Sequence, residues 1–281
     1  MPKLGPPLDF TNERLTDLSA ITAEDMQAAV LAWQEAAPAL YDDLPLAPAI
    51  EDDEDDMLEE IVVGGLLLAA SALYAWDSVR GVYVLITSQE IVTFQAVREI
   101  TERVAATQLS AMETLSRQLK AGEISLAQWQ IGMMQNIKIL HVNAAVLARG
   151  GWAQMSQGDW GMVGARVRVQ YNYLRNFARQ IANGTQALDG RLLVRTGMYE
   201  DAARGTYEDM RRRVEELYNG MEEEMRILGA ADHCDDCLNY AALRWQPIGS
   251  LPRIGDSVCR VNCHCRFVFR KRGENGWIVS G

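Results

Sequence analysis

The chain has 281 residues, 48% hydrophobic and 23% charged, enough to bury a core and too mixed for a fibrous or low-complexity protein. Its formal charge of −11 is a local property: without the eight acids of EDDEDDMLEE (51–60) it falls to −3, so the chain is not a polyanion throughout. The opening MPKLGPPLDF has no basic stretch leading into an apolar one, so no signal peptide is expected, and the expected compartment is reducing.

Residues 1–60 read as an adaptor segment. Pro2, Pro6, Pro7, Pro38, Pro45 and Pro48 leave room for one short helix near Ala23–Ala37, with Thr22 as its N-cap. The acidic run reads first as a solvated, self-repelling linker and second as a docking site for a basic partner. A divalent-cation site is the weakest of the three, because the run lacks the ligand spacing of a calcium loop. IVVGGLLLAASALYAW (61–76) carries no charge, but it is shorter than the roughly 20 apolar residues that span a bilayer. It is expected as a helix buried in a core or subunit interface, with membrane insertion as the lesser reading.

RGVYVLITS (80–88) is β-rich and follows a turn near Asp77–Gly81, predicting a short strand or hairpin. Helices are expected from there to about Gly229. In the first, Val97, Ile100, Val104, Met112, Leu115 and Leu119 recur mostly at three- and four-residue steps, and Lys120-Ala-Gly ends it. Ser125 with Gln128 forms a capping box for the second helix, which stops at Gly150–Gly151. Ser156 with Asp159 caps a third, striped by Val163, Val167, Tyr171, Leu174, Phe177 and Ile181. A fourth is expected over Gly197–Leu228, presenting EDMRRRVEELYNGMEEEM as a charged exposed face. His141 reads as a packed helix residue, not a ligand. The expected fold is mainly α: an elongated bundle or set of helical hairpins with a short β-hairpin and a small C-terminal zinc-knuckle-like α+β module. The expected units are an adaptor (1–60), a helical body (61–229), a cysteine-rich module (230–272) and a tail (273–281).

All five cysteines lie in that module. Cys234 and Cys237 form a C-x2-C knuckle, and Cys259, Cys263 and Cys265 follow as C-x3-C-x-C. A tight turn lets a C-x2-C pair aim both thiolates at one ion, and structural zinc takes four such ligands in a tetrahedron. One zinc per chain is expected, bound by Cys234, Cys237 and two of Cys259, Cys263 and Cys265, with His233 and His264 as alternatives. Cys263 and Cys265 fall on opposite faces of a regular strand, so both can ligate only if the backbone turns there. RFVF after Cys265 predicts a strand. Inert or disulfide-bonded thiols are the bland alternative. A thiolate-rich site of this kind is closed and structural, so no catalytic residue is expected. Six basic residues between Arg253 and Arg272 face only Asp256, and Trp245, Phe267 and Phe269 lie near them, which keeps nucleic-acid binding open.

The segment ADHCDDCLNYAALRWQPIGSLPRIGDSVCRVNCHCRF resembles the C-terminal signature of phage minor head proteins, the Mu F-like head morphogenesis family. Its members end in a C-x2-C knuckle, a glycine-containing loop and a closing C-x-C. WDSVRGVYV (76–84), residues 120–164 and EEEMRILGAADHC (222–234) resemble the family's body, so the resemblance covers about residues 75–268. Two departures stand out. Cys259 occupies the neighbourhood where many members carry a histidine, and Arg244 stands where some carry glycine. The resemblance implies a structural, low-copy component of the virion head, assembled in the host cytoplasm. Its partners would be the portal and/or major capsid protein, with packaged DNA near the basic C-terminal segment, and it would have no small-molecule substrate or enzymatic activity.

Overall fold

Tyr74–Asp77 (β1), Val82–Leu85 (β2) and Ile91–Val92 (β3) form an antiparallel sheet in that order, with Tyr74 opposite Leu85 and Tyr83 opposite Val92. The computed structural model describes residues 74–77, 80, 82–85, 90–92, 94–229 and 232–272. The adaptor segment with its helix and acidic run, residues 61–73 and the tail lie outside these. The hairpin expected at 80–88 is present, closed by the Asp77 carboxylate, which accepts from the Arg80 backbone N–H and side chain. The helix expected through Trp76 is corrected at its end: Tyr74, Ala75 and Trp76 are strand. β2 offers them a ladder, and Tyr74 is buried edge-on against Tyr83.

Four helices make the body: α1 (Phe94–Ala121), α2 (Leu126–Arg149), α3 (Gln157–Ala182) and α4 (Gly190–Leu217). Both expected capping boxes form, Ser125 with Gln128 and Ser156 with Asp159, and α2 ends in a left-handed Gly150. α2 is the central helix. From Leu140 to Ala148 its residues are buried on every side, because α1, α3 and α4 surround it. One core layer joins Met112 and Leu115 of α1, Trp129 and Ile137 of α2, Phe177 of α3 and Leu192 of α4. A second joins Val142 and Val146 to Trp160, Val163 and Met210. One polar cluster in this interior is matched: the Trp129 indole N–H donates to Ser116 Oγ at 3.1 Å, and Ser116 pairs with Thr196 at 2.9 Å. The first sheet docks on the C-terminal end of α2, where the Trp76 N–H donates to the Gly150 carbonyl at 2.6 Å.

The fourth helix differs from expectation at both ends. Asp189 caps it seven residues early, accepting from the Arg191 N–H, and it ends at Leu217. After the Asn219–Gly220 turn the chain becomes a strand, β4 (Glu223–Ile227). This strand lies between β5 (Gln246–Pro247) and β6 (Arg266–Arg270) in an antiparallel sheet of order β5-β4-β6. The cysteine-rich segment is therefore built around a strand contributed from before residue 230. Among the described residues no helix is long and apolar enough to cross a membrane.

Candidate metal centre

Each cysteine is delivered by a short, stiff piece of backbone. Cys234 is the N-cap of α5 (Asp235–Ala242), and Cys237 lies in that helix's first turn. Cys259 and Cys263 bracket a single 3-10 turn, Arg260–Asn262, which reverses the chain and returns both thiols to one side. Cys265 follows, one residue before β6 begins. Cys263 and Cys265 do bring their sulfurs to one side, within 4.8 Å of each other and of Cys237, and both are buried. Asp236 ties the two halves together by accepting the Val258 N–H at 3.0 Å.

The thiols converge. Cys234, Cys237 and Cys259 place their sulfurs within 4.8 Å of one another, as do Cys237, Cys263 and Cys265. Cys237 Sγ lies 3.6 Å from Cys259 Sγ and 3.7 Å from Cys263 Sγ. Four sulfurs bound tetrahedrally at about 2.3 Å from an ion stand about 3.8 Å apart, so these separations suit a shared metal. All five cysteines are free, none in a disulfide. This cluster can hold a metal ion, and soft thiolate donors in compact array favour zinc among the common divalent metals. Burial pushes the Cys259 thiol up and lifts Cys265 to about 12, each beside neighbouring thiols. Burial opposes ionisation of Cys263 as well. The N–H groups of Cys265 and Gly255 and the thiols of Cys237 and Cys259 outweigh it and hold that group below the usual thiol range.

Around the sulfurs lies a scaffold of buried charge that the sequence pattern places on the surface. β4 alternates, and its inward residues are Glu224 and Arg226, 0% and 1% exposed. Glu224 accepts the N–H groups of Gly249 and Leu251 at 3.1 Å each and pairs with Arg212 of α4 at 2.7 Å. Arg226 donates to Ser257 Oγ at 3.2 Å, to the carbonyls of Pro252 and Arg253, and towards Cys237 Sγ at 3.7 Å. From α4, Glu208 accepts the Phe267 N–H, Arg212 lies over the Phe267 ring, and Arg204 reaches the His264 ring and the Cys263 carbonyl. Glu208, Arg211, Arg212 and Glu215 are buried, so the charged exposed face expected for the fourth helix is instead the seam to the cysteine module. The available signal is the turn dipeptide Asn219–Gly220 followed by period-two alternation in EEMRI, which marks a strand with two charges on one face.

The two alternative histidine ligands part company. His264 is exposed and bonds Arg204, away from the sulfurs. His233 turns Nδ1 to 3.9 Å from Cys265 Sγ while its Nε2 lies 2.8 Å from the Gly229 carbonyl. His141 is a packed helix residue, 1% exposed, with Nδ1 2.6 Å from Thr206 Oγ1. Phe267 and Phe269 belong to the module's core and Arg270 covers Trp245, so the stacking surface imagined for nucleic acid is occupied by the protein itself. Arg244, standing where the resembled family has glycine in some members, has φ 59°, a left-handed conformation that glycine adopts without cost. No family model, no curated protein and no solved structure matches this chain.

Proposed function

We propose that the chain is a structural protein of a bacteriophage head: a helical body that docks on the portal or capsid, locked at its C-terminal end by zinc. The observation that supports this reading is the convergence of Cys234, Cys237, Cys259, Cys263 and Cys265. The spacing that resembles the minor head proteins is the one that gathers the other four thiols around Cys237. Zinc suits such a role because the module is small and loop-rich, and the metal supplies stability that its limited core does not. Clamped to α4 by Arg212–Glu224 and Glu208–Phe267, the module stiffens the body it closes. Val169 and Tyr173 of α3 and Met198 of α4 stay exposed along one groove, as apolar surface suited to a protein partner.

Two measurements test the assembly role. The chain is expected in mass spectra of purified phage heads, and it is expected to co-purify with the portal or major capsid protein after co-expression. Association should survive raised salt, since apolar contact drives it. Absence from heads together with failure to bind either protein refutes the role. Salt-sensitive DNA binding in their place would assign the chain to nucleic acid instead.

A further inference from the structure

We infer that the cluster holds two zinc ions, not one, bridged by Cys237 and Cys263, with His233 as the fourth ligand of the second ion. The inference rests on the zinc reading above and concerns the number of ions and the donor set. A single tetrahedral ion uses four donors, yet five thiols and an imidazole gather here. They do not gather as a tetrahedron plus a stray: two triads share Cys237 as their common vertex. Cys263 lies 3.7 Å from Cys237, and Cys259 adjoins Cys234, Cys237 and Cys263. Six donors around two tetrahedral ions require two bridges and four terminal ligands. Cys237 and Cys263, the central pair, take the bridges. Cys234 and Cys259 complete the first ion, and Cys265 and His233 complete the second.

His233 provides the independent observation. Its Nε2 sits 2.8 Å from the Gly229 carbonyl, which can only accept, so the ring proton is on Nε2. Nδ1, the atom free to ligate in that tautomer, faces Cys265 Sγ at 3.9 Å. A metal-bound histidine characteristically donates its other ring N–H to a backbone carbonyl in this manner. Nitrogen and sulfur bound to one zinc at about 2.0 and 2.3 Å stand about 3.6 Å apart, so a small adjustment closes the shell.

Charge points the same way. Two zinc ions and five thiolates carry a net −1, and binding releases the five thiol protons to solvent. The buried Arg226, with Nη1 3.7 Å from the bridging Cys237 sulfur, supplies the compensating +1. One ion with four thiolates would carry −2 against the same single arginine and leave one of the buried thiols without a role.

The test uses the full chain, expressed with ample zinc and measured by inductively coupled plasma mass spectrometry, then exchanged with cadmium-113 for NMR. Two ions per chain are expected, with two cadmium resonances coupled through shared thiolates, one from an all-sulfur site and one from a site including nitrogen. Cys265→Ser and His233→Ala are each expected to lower the count from two to one. A wild-type count of one overturns the proposal and leaves the zinc reading standing. Two ions without cadmium–cadmium coupling overturn the bridging, and no bound metal overturns both readings.

Discussion

At the scale of single residues, two buried groups set opposing pH dependences. His141 lies inside the helical body, where burial first and the nearby Arg166 second lower its pKa to about 3. The folded imidazole stays neutral while the unfolded one takes a proton below about 6.5, so stability is complete above that pH and is lost progressively as pH falls from there towards about 3. Glu208 behaves in the opposite sense. Burial raises its pKa to about 6, although Arg211, the Phe267 N–H and Arg266 pull it down. Its contribution is favourable at low pH and is lost as pH rises from about 4.5 through 6. Glu208→Gln keeps an acceptor for Phe267 and removes that loss. The variant is expected to gain up to about 2 kcal/mol at pH 7 and nothing at pH 4.5. His141→Gln is expected to flatten the fall in stability between pH 6.5 and 5. Urea unfolding of each variant against the parent, compared pH by pH, cancels the common effect of thiol protonation. A variant-minus-parent difference that does not change with pH refutes the assignment. Neither group's titration is legible in the sequence, because Glu208 sits in EDMRRRVEEL, a pattern that reads as solvated surface until β6 covers it.

At the scale of elements, what the sequence discloses follows the range of the interaction. Ser125 with Gln128 and Ser156 with Asp159 act within one turn, and both helix starts are readable from them. Cys234, Cys237, Cys259, Cys263 and Cys265 are readable as a site because metal-ligand spacing is also local to each half. The end of α4 is marked only by the Asn219–Gly220 turn and the alternation of EEMRI, against the good helix formers throughout MEEEMRI. Only pairing with β6, forty residues on, makes Glu223–Ile227 a strand. The same tertiary override converts Tyr74–Trp76 from apolar helix to strand. The junction between the first sheet and α2 can be tested at Gly151, which has φ 114° and whose missing side chain leaves room for the Tyr74 carbonyl and Ala75. Gly151→Ala combines backbone strain with a collision against backbone, and about 2–4 kcal/mol of stability is expected to be lost. Gly184→Ala is the control: φ is 74° but nothing lies within 4 Å of the added carbon, so about 1 kcal/mol is expected. Equal losses in denaturant unfolding would show that the sheet is not seated there.

At the scale of the whole molecule, the question is whether body and module unfold as one. The body has its own layered core, from Met112 and Trp129 to Phe177 and Leu192, and none of it requires metal. The module's core is Leu251, Ile254, Phe267 and Phe269 packed on Cys237, Cys263 and Cys265, so the proposed metal ligands are themselves core residues. Between the two runs the α4 seam, held by Arg212–Glu224, Glu208–Phe267 and Arg204–Cys263. Stripping the metal leaves several thiols repelling or protonated in a space shaped for bound sulfur, and the module loses what organises it. Glu208, Arg211 and Arg212 then face water, which is tolerable for charged side chains on a helix whose opposite side, at Tyr199, Ala203 and Met210, remains packed in the body. Chelation is therefore expected to speed amide exchange at least ~100-fold over Glu223–Ile227 and Cys263–Arg270, while α1, α2 and α3 keep their protection. Cys234→Ser is expected to reproduce the same pattern more weakly, since it removes one of the proposed ligands. Exchange that rises equally through all four helices would make the metal a keystone of the entire fold. Exchange unchanged in β4 and β6 would mean that packing against α4 alone holds the module.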